Sequence, residues 1–193
     1  MEDAIFDNIT PVNWATSDEI IKVLGVGGGG CNAVSYMYRK GIKGCSFVVC
    51  NTDSQALMES PVPMQIQMGR GLGAGTNPIN GRNAALESQD QIEKVVLDTH
   101  TKMLFITAGM GGGTGTGAAP VIAQLAKEMG ILTVGFVTKP FKFEGKKRMQ
   151  FAMDGIERLR HNVDTLIVIP NDKLLGLMDR KASKTDAFAR TDE

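Results

Sequence analysis

The feature that most constrains this chain is a run of glycine and threonine, GMGGGTGTG, at residues 109–117. It lies between an apolar segment typical of a buried strand, residues 103–108, and a helix-forming segment, residues 118–129. Glycine makes up 23 of the 193 residues, and fourteen of these glycines fall in three clusters, within residues 27–30, 69–75 and 109–117. Flexible low-complexity sequence would spread glycine among serine and proline. The clusters therefore predict loops at which the backbone approaches another group closely.

Apolar segments alternate with helix-forming segments along most of the chain. Strands are predicted at residues 20–26, 46–51, 64–68, 103–108, 132–138 and 165–169, and helices at residues 31–40, 80–97, 118–129, 145–160 and 173–178. The strand at 64–68 follows Pro61 and Pro63, which favours an edge position. The order predicts an α/β fold with a doubly wound, mostly parallel sheet and helices on both faces. Residues 1–18 are predicted to be a flexible arm, and residues 19–193 a single domain.

Composition excludes several classes of protein. The 21 Lys+Arg residues balance the 21 Asp+Glu residues, whereas a nucleic-acid-binding domain is usually basic. No apolar run approaches the roughly 18 residues that indicate a membrane span, and the polar N-terminus does not resemble a signal peptide. Cys31, Cys45 and Cys50 show no paired spacing, so we expect reduced thiols in a cytosolic protein. Two isolated histidines predict no metal site.

All three glycine clusters follow predicted strands, so we expect them at the carboxyl edge of the sheet, where such folds bind ligands. Residues 25–30 match G-x-G-x-x-G, and Asp53 lies about twenty residues further on, as in the dinucleotide fingerprint. Residues 109–117 are not a P-loop, because no lysine follows at the required offset. Their amides could form a nest for phosphate oxygens, and Thr114 and Thr116 could offer hydroxyls to phosphate or hydrated Mg²⁺. A turn without a ligand is the alternative at residues 25–30 and at residues 109–117.

The sequence resembles the tubulin/FtsZ family of GTPases. GMGGGTGTG is similar to the tubulin signature motif, and the resemblance extends over nearly all of residues 20–193 through the blocks IKVLGVGGGGCNAV, VCNTDSQAL, GLGAGTNP, ILTVGFVTKPFKFEGKKRM and DTLIVIPNDKLL. The stretch from Gln67 to Gly71 is shorter than is usual in the family. The resemblance implies a GTP-binding domain at residues 19–193, ending where the family's central helix begins.

The resemblance also implies an activity and partners. The domain would belong to a polymerising GTPase of the bacterial cytokinetic ring, cytoplasmic and located at mid-cell. It would associate head to tail with further copies, and bind neither nucleic acid nor membrane directly. In that family an acidic loop from a neighbouring subunit positions the attacking water, and a C-terminal tail binds division-protein tethers. Because both segments lie beyond Glu193 in the family, we expect no catalytic residue within this chain.

Particular residues would bind GTP or GDP, with Mg²⁺ as a further expected component. The nucleotide would be lined by Gly28, Gly29, Gly30, Cys31 and Asn32. The γ-phosphate would be approached by Ala74 and Gly75, and the phosphates held by Gly111, Gly112, Gly113, Thr114 and Gly115. The ribose would be contacted by Glu144 and Arg148. The base would be flanked by Asn171, stacked on by Phe188 and recognised by Asp192, whose carboxylate pairs with the two donors of guanine.

Other interpretations are open at this point. The glycines at 25–30 also fit an NAD-dependent oxidoreductase with a Rossmann fold, which would need an acid-base group; His100 and His161 are both predicted away from the glycine edge. A nucleotide-binding regulator without enzymatic activity is a further alternative. Glu144 and Arg148, four residues apart, could form an ordinary surface ion pair, and Phe188 could be a packing residue.

Overall fold

The structure is a computed structural model that describes residues 19–175. Within them the strands are β1 (Ile21–Val26), β2 (Ser46–Asn51), β3 (Met64–Gln67), β4 (Met103–Gly109), β5 (Leu132–Lys139) and β6 (Thr165–Pro170). The helices are α1 (Gly27–Arg39), α2 (Ser54–Met58), α3 (Pro78–Glu87), α4 (Gln89–Val96), α5 (Thr114–Glu128), α6 (Lys146–Arg160) and α7 (Asn171–Leu175), with a 3₁₀ turn at Lys142–Glu144. The predicted arm, residues 1–18, lies outside the described residues.

The strands form one sheet in the order β3-β2-β1-β4-β5-β6, and every neighbouring pair is parallel. The chain runs outward from β1 to β3, returns to place β4 beside β1, and then runs outward to β6. This confirms the predicted doubly wound topology and the edge position of β3. The strand order reverses between β1 and β4, with Val26 paired with Ala108, so this is the switch point at which such sheets bind ligands.

Helices cover both faces of the sheet, as predicted, because successive side chains of a strand point to opposite faces. Leu24 and Val48 belong to the larger core, which packs against α3, α4, α5 and α6. Val23 and Val49, one residue away along the same strands, belong to the smaller core under α1 and α2. The strands are therefore apolar on both sides, which is typical of a parallel sheet.

Two helices begin within their glycine clusters, whereas the sequence predicted that they begin after them, at Cys31 and Ala118. In the structure α1 begins at Gly27 and α5 at Thr114. A Cβ atom on Gly30 would lie 2.2 Å from the carbonyl oxygen of Thr107 on β4. Only glycine lets the helix lie this close to the strand, so packing outweighs the poor helix propensity of glycine.

The predicted helix at 80–97 is divided into α3 and α4 at Ser88, whose φ of −104° and ψ of 15° are not helical. The Ser88 hydroxyl accepts a hydrogen bond from the amide of Gly69, a tertiary contact that the helical pattern does not show. Helix α3 also begins earlier than predicted, because Asn77 caps it and Pro78 occupies its first turn. Helix α2 was not predicted, and α7 begins two residues before the predicted Lys173.

An ion pair between buried Lys22 and half-buried Asp98 ties β1 to the end of α4 at the amino edge of the sheet. Lys22 is 2% exposed, and its Nζ donates to the Val95 carbonyl at 2.8 Å and to Oδ2 of Asp98 at 2.5 Å. Oδ1 of Asp98 accepts from the amide and hydroxyl of Thr101. Burial by itself raises the pKa of Asp98, but the hydrogen bonds from Lys22 and Thr101 and the charge of Lys22 outweigh it and hold this pKa below its usual value.

Candidate functional site

A cavity of about 440 Å³ opens at the switch point between β1 and β4, at the carboxyl edge of the sheet. Its volume is typical of small-molecule sites. The lining residues come mainly from the segments that follow β1, β4, β5 and β6: Gly28, Gly29, Asn32, Gly75, Gly109, Met110, Gly112, Gly113, Thr114, Gly115, Thr138, Pro140, Glu144, Arg148 and Asn171. All three glycine clusters contribute to this one cavity.

Helices α1 and α5 begin at the cavity without a side-chain cap and without an acidic residue in the first turn. Helices α2 and α3 are capped instead. Asp53 accepts from the amides of Gln55 and Ala56, and Asn77 accepts from the amide of Ile79. The first amides of a helix need partners, and the partial positive charge there favours an anion. The uncapped starts of α1 and α5 therefore form a site suited to phosphate.

The glycines at the cavity have two different roles. A Cβ atom on Gly27 would lie 2.8 Å from the amide nitrogen of Gly115, so this glycine lets the starts of α1 and α5 approach each other. Gly28 and Gly112 have nothing within 4 Å of the position that a Cβ atom would take. At these two positions the missing side chain leaves open space in front of the backbone, where a ligand can reach the amides.

The two threonines of the third cluster differ in what their hydroxyls contact. Thr116 is 2% exposed, and its hydroxyl accepts from the amide of Gly111 at 2.8 Å. It therefore supports the loop from behind, and Thr116 is not among the residues that line the cavity. Thr114 does line the cavity, and its Oγ1 lies 2.6 Å from Oγ1 of Thr52.

Glu144 and Arg148 form an ion pair at the cavity wall. Oε2 of Glu144 accepts from Arg148 at 2.6 Å, and Oε1 accepts from the amide of Phe141 at 2.8 Å. The Glu144 side chain is 10% exposed and that of Arg148 is 43% exposed. The i,i+4 pair that the sequence left open is thus present, and the same two side chains also line the cavity.

Asn171 supplies a polar group without a partner at the end of β6. The residue is 5% exposed, and its Oδ1 has no hydrogen-bond partner within residues 19–175. A buried acceptor of this kind costs free energy unless something pairs with it. Because Asn171 lines the cavity, a ligand with a donor group could satisfy it.

Most of the predicted site residues that the structure describes meet at this cavity. Gly30, Cys31, Ala74 and Gly111 lie just outside its lining. Gly30 packs against β4, and Cys31 belongs to the smaller core. Ala74 packs behind Gly113. The amide of Gly111 is already paired with the Thr116 hydroxyl. Phe188 and Asp192 lie outside the described residues.

Sequence reasoning missed two lining residues, Thr138 and Pro140, and covered two others, Gly109 and Met110, only as part of the loop at 109–117. Thr138 lies near the carboxyl end of β5 and Pro140 directly follows that strand, beside the end of β4, where the amide of Met110 donates to the Thr138 carbonyl. The topology could have indicated them, because the ends of neighbouring parallel strands share one edge.

Two of the three cysteines, Cys31 and Cys50, are buried in the fold. All three are free, as expected. Burial raises the pKa of Cys31 to about 12 and outweighs the smaller, opposing effect of the Cys50 backbone. Such a thiol stays protonated and unreactive near neutral pH.

The features that an NAD-dependent oxidoreductase would need are not supported. Asp53, at the fingerprint's acidic position, caps α2. His100 precedes β4 and His161 follows α6, so both lie at the amino edge, opposite the cavity.

Among residues 19–175 no group of three or more His, Cys, Asp or Glu side chains is placed to hold a metal ion. In the same part of the chain, every helix is too short or too polar to cross a membrane.

Comparison with known proteins gives one consistent family. Residues 20–179 match the model of the tubulin/FtsZ family, GTPase domain. The cell division protein FtsZ of Pseudomonas putida is 55% identical over 178 residues, which are 90% of this chain and 44% of that protein. FtsZ of Wigglesworthia glossinidia brevipalpis is 53% identical over 182 residues, covering 92% of this chain and 47% of that protein. The chain thus spans about half the length of these curated relatives.

Solved structures agree with this result. An empty FtsZ dimer from M. jannaschii superimposes with a TM-score of 0.86 at 44% identity, covering 92% of this chain and 52% of that one. A GTPγS-bound CetZ2 protofilament from Haloferax volcanii gives a TM-score of 0.79 at 22% identity, covering 90% and 55% respectively, which shows a shared fold. The family model matches more than half of the chain, and glycine-lined helix starts lie at the switch point. This chain therefore belongs to the tubulin/FtsZ family and contains its GTPase domain.

Proposed function

We propose that this chain binds GTP and GDP in the switch-point cavity, as the nucleotide-binding part of a polymerising GTPase of bacterial cell division. One observation carries the proposal: helices α1 and α5 both begin, uncapped, at the same cavity, and Gly28 and Gly112 leave open space in front of their backbone there. Relatives named cell division protein FtsZ support the cellular role. Dimer and protofilament structures of relatives support head-to-tail self-association. The protein would act in the cytoplasm at mid-cell, with tethers bound through a C-terminal tail.

The geometry supports a direction for the nucleotide within the cavity. The phosphates would lie against the amides of α1 and α5 and the hydroxyl of Thr114. The ribose would lie toward Glu144 and Arg148. The base would lie toward Asn171, whose Oδ1 has no partner among residues 19–175 and can accept a hydrogen bond. Phe188 would stack on the base and Asp192 would pair with the guanine donors.

In the hydrolysis step, water attacks the γ-phosphorus and the bond to the bridging oxygen of GDP breaks. The residues of this chain hold the phosphates in line and place backbone dipoles where negative charge develops. Glu144 is the one carboxylate among the described lining residues, and both of its oxygens already accept hydrogen bonds. The carboxylate that orients water would therefore come from a neighbouring subunit. Magnesium would be held by phosphate oxygens and water, since the described residues around the glycines offer no carboxylate cluster.

We expect GTP and GDP to bind at least about tenfold more tightly than ATP or NAD, because a site built to pair with guanine leaves polar groups unpaired when another base binds. Calorimetric titration of the 193-residue chain with all four nucleotides measures this. An Asp192→Ala variant is the control for base recognition and should lose most of the preference for GTP over ATP while keeping phosphate-dependent binding. Equal affinity for ATP, or tighter binding of NAD, would overturn the assignment of the site.

We also expect this chain alone to hydrolyse bound GTP very slowly, because the one carboxylate among the described lining residues, Glu144, is already engaged by Phe141 and Arg148. Phosphate release is measured over a range of protein concentrations, with the chain alone and mixed with the C-terminal half of Pseudomonas putida FtsZ. Turnover should appear only in the mixture. A Gly28→Ala variant, whose added methyl group would block the phosphates, checks that the release comes from this cavity. Rapid, concentration-independent turnover by the chain alone would place the catalytic group within it.

A further inference from the structure

Thr52, which follows β2, lies directly behind the proposed phosphate contact. Its Oγ1 is 2.6 Å from Oγ1 of Thr114, and the two residues are 4% and 9% exposed. Thr114 faces the cavity, whereas Thr52 does not line it. One hydrogen bond joins the two hydroxyls, and either oxygen can be its donor.

Binding of a phosphate would fix which of the two hydroxyls is the donor. A hydroxyl carries one proton and can donate only one hydrogen bond, while the phosphate oxygens of a nucleotide act as acceptors. If Thr114 donates to phosphate, its oxygen can take part in the pair only as an acceptor. Thr52 must then donate. We propose that Thr52 is a positioning residue that donates to Thr114 and so directs the Thr114 proton at the phosphate; this inference rests on the proposed nucleotide site.

The backbone of Thr52 is held firmly enough for this role. Its amide donates to Oδ1 of Asn51 at 2.8 Å, and its carbonyl accepts from the amide of Gly73 at 2.7 Å. The same glycine segment reaches α5, because the amide of Gly113 donates to the Gly75 carbonyl at 3.1 Å. Thr52 is therefore connected to Thr114 by its hydroxyl and to the second glycine cluster by its backbone.

The test compares variants of Thr52 that keep or remove the hydroxyl. Thr52→Val keeps the β-branched shape and removes the donor, and we expect it to weaken GTP and GDP binding about tenfold, a loss of 1.4 kcal/mol. Thr52→Ser restores the donor and should bind within about threefold of wild type, roughly 0.65 kcal/mol. Binding is measured by calorimetry, and circular dichroism checks that each variant is folded. If valine disturbs the fold, Thr52→Ala removes the same hydroxyl with a smaller side chain.

A double-mutant cycle separates positioning from general packing. If Thr52 acts through Thr114, then Thr52→Val should have little further effect on affinity in a Thr114→Val background. Equal losses in both backgrounds, or wild-type affinity of folded Thr52→Val, would overturn the inference while leaving the nucleotide site in place. Failure of the wild-type chain to bind GTP or GDP would instead overturn the proposed function.

Discussion

Replacing Gly30 with alanine is expected to lower the free energy of unfolding by about 3 kcal/mol, at the upper end of the range for overpacking. The added Cβ atom would lie 2.2 Å from the carbonyl oxygen of Thr107 and 3.2 Å from the carbonyl carbon of Gly25. Both obstacles are backbone atoms of buried central strands, so neither can move aside without disturbing the sheet. Urea denaturation followed by circular dichroism measures the change.

Gly28→Ala is the matched control, because it makes the same substitution two residues earlier in the same helix. Nothing lies within 4 Å of its added Cβ atom, so the unfolding free energy should stay the same or rise by up to about 1 kcal/mol from improved helix propensity. Nucleotide affinity should nevertheless fall by about tenfold or more, since the methyl group occupies the space in front of the amides. Equal stability of the two variants would contradict the close approach of α1 to β4.

Replacing Asp98 with alanine is expected to lower the free energy of unfolding by about 3–5 kcal/mol, the range for leaving a buried charge without its partner. The Lys22 side chain is 3% exposed, and without Asp98 its charge would keep only the Val95 carbonyl as a described acceptor. The same substitution also removes the acceptor of the Thr101 amide and hydroxyl. The loss is measured by urea denaturation at pH 7.

Lys22→Met should cost far less, within about 1 kcal/mol of wild type, and serves as the control. The Asp98 side chain is 35% exposed, so water can solvate its charge when Lys22 is absent, while methionine fills the apolar space. Removing Asp98 is thus predicted to cost more stability than removing Lys22, because only Lys22 is buried. Similar losses for both variants would contradict this account.

The lowered pKa of Asp98 gives this pair a pH dependence with a defined sign. Its folded pKa lies below the unfolded value of about 3.9, so the stabilisation is fully present above that pH and is lost as pH falls through the folded pKa. Asp98→Asn imitates the protonated form. The difference in stability between wild type and this variant should therefore shrink toward pH 3.

The strands and their parallel order could be predicted because their signals are local. Each strand is a short apolar run ended by glycine, proline or a polar residue, and the alternation with helices leaves few possible topologies. The position of the cavity followed from the same order, since three glycine clusters come directly after strands. The helix starts could not be predicted, because glycine is typical of loops in a sequence. Only the folded structure shows that Gly30 lets α1 pack closely against β4.

The parts of the site that the sequence did not indicate depend on contacts between distant residues. Thr52 and Thr114 are 62 residues apart, and nothing near either one marks the pair. The hydrogen bond from the Gly111 amide to the Thr116 hydroxyl likewise appears only in the folded loop. Ser88 interrupts a helical pattern because it binds Gly69, 19 residues away. Local propensity carries no information on contacts of this kind.

The uncapped starts of α1 and α5 place the binding groups of this site in the main chain. Every residue type except proline carries the same amide, so drift in the surrounding side chains cannot delete these donors. The site therefore depends mainly on two absences. No side chain may occupy the space at Gly28 or Gly112, and no carboxylate of the chain may cap either helix. A site defined in this way can tolerate extensive change in the residues around it, and it is lost when a single small side chain is gained.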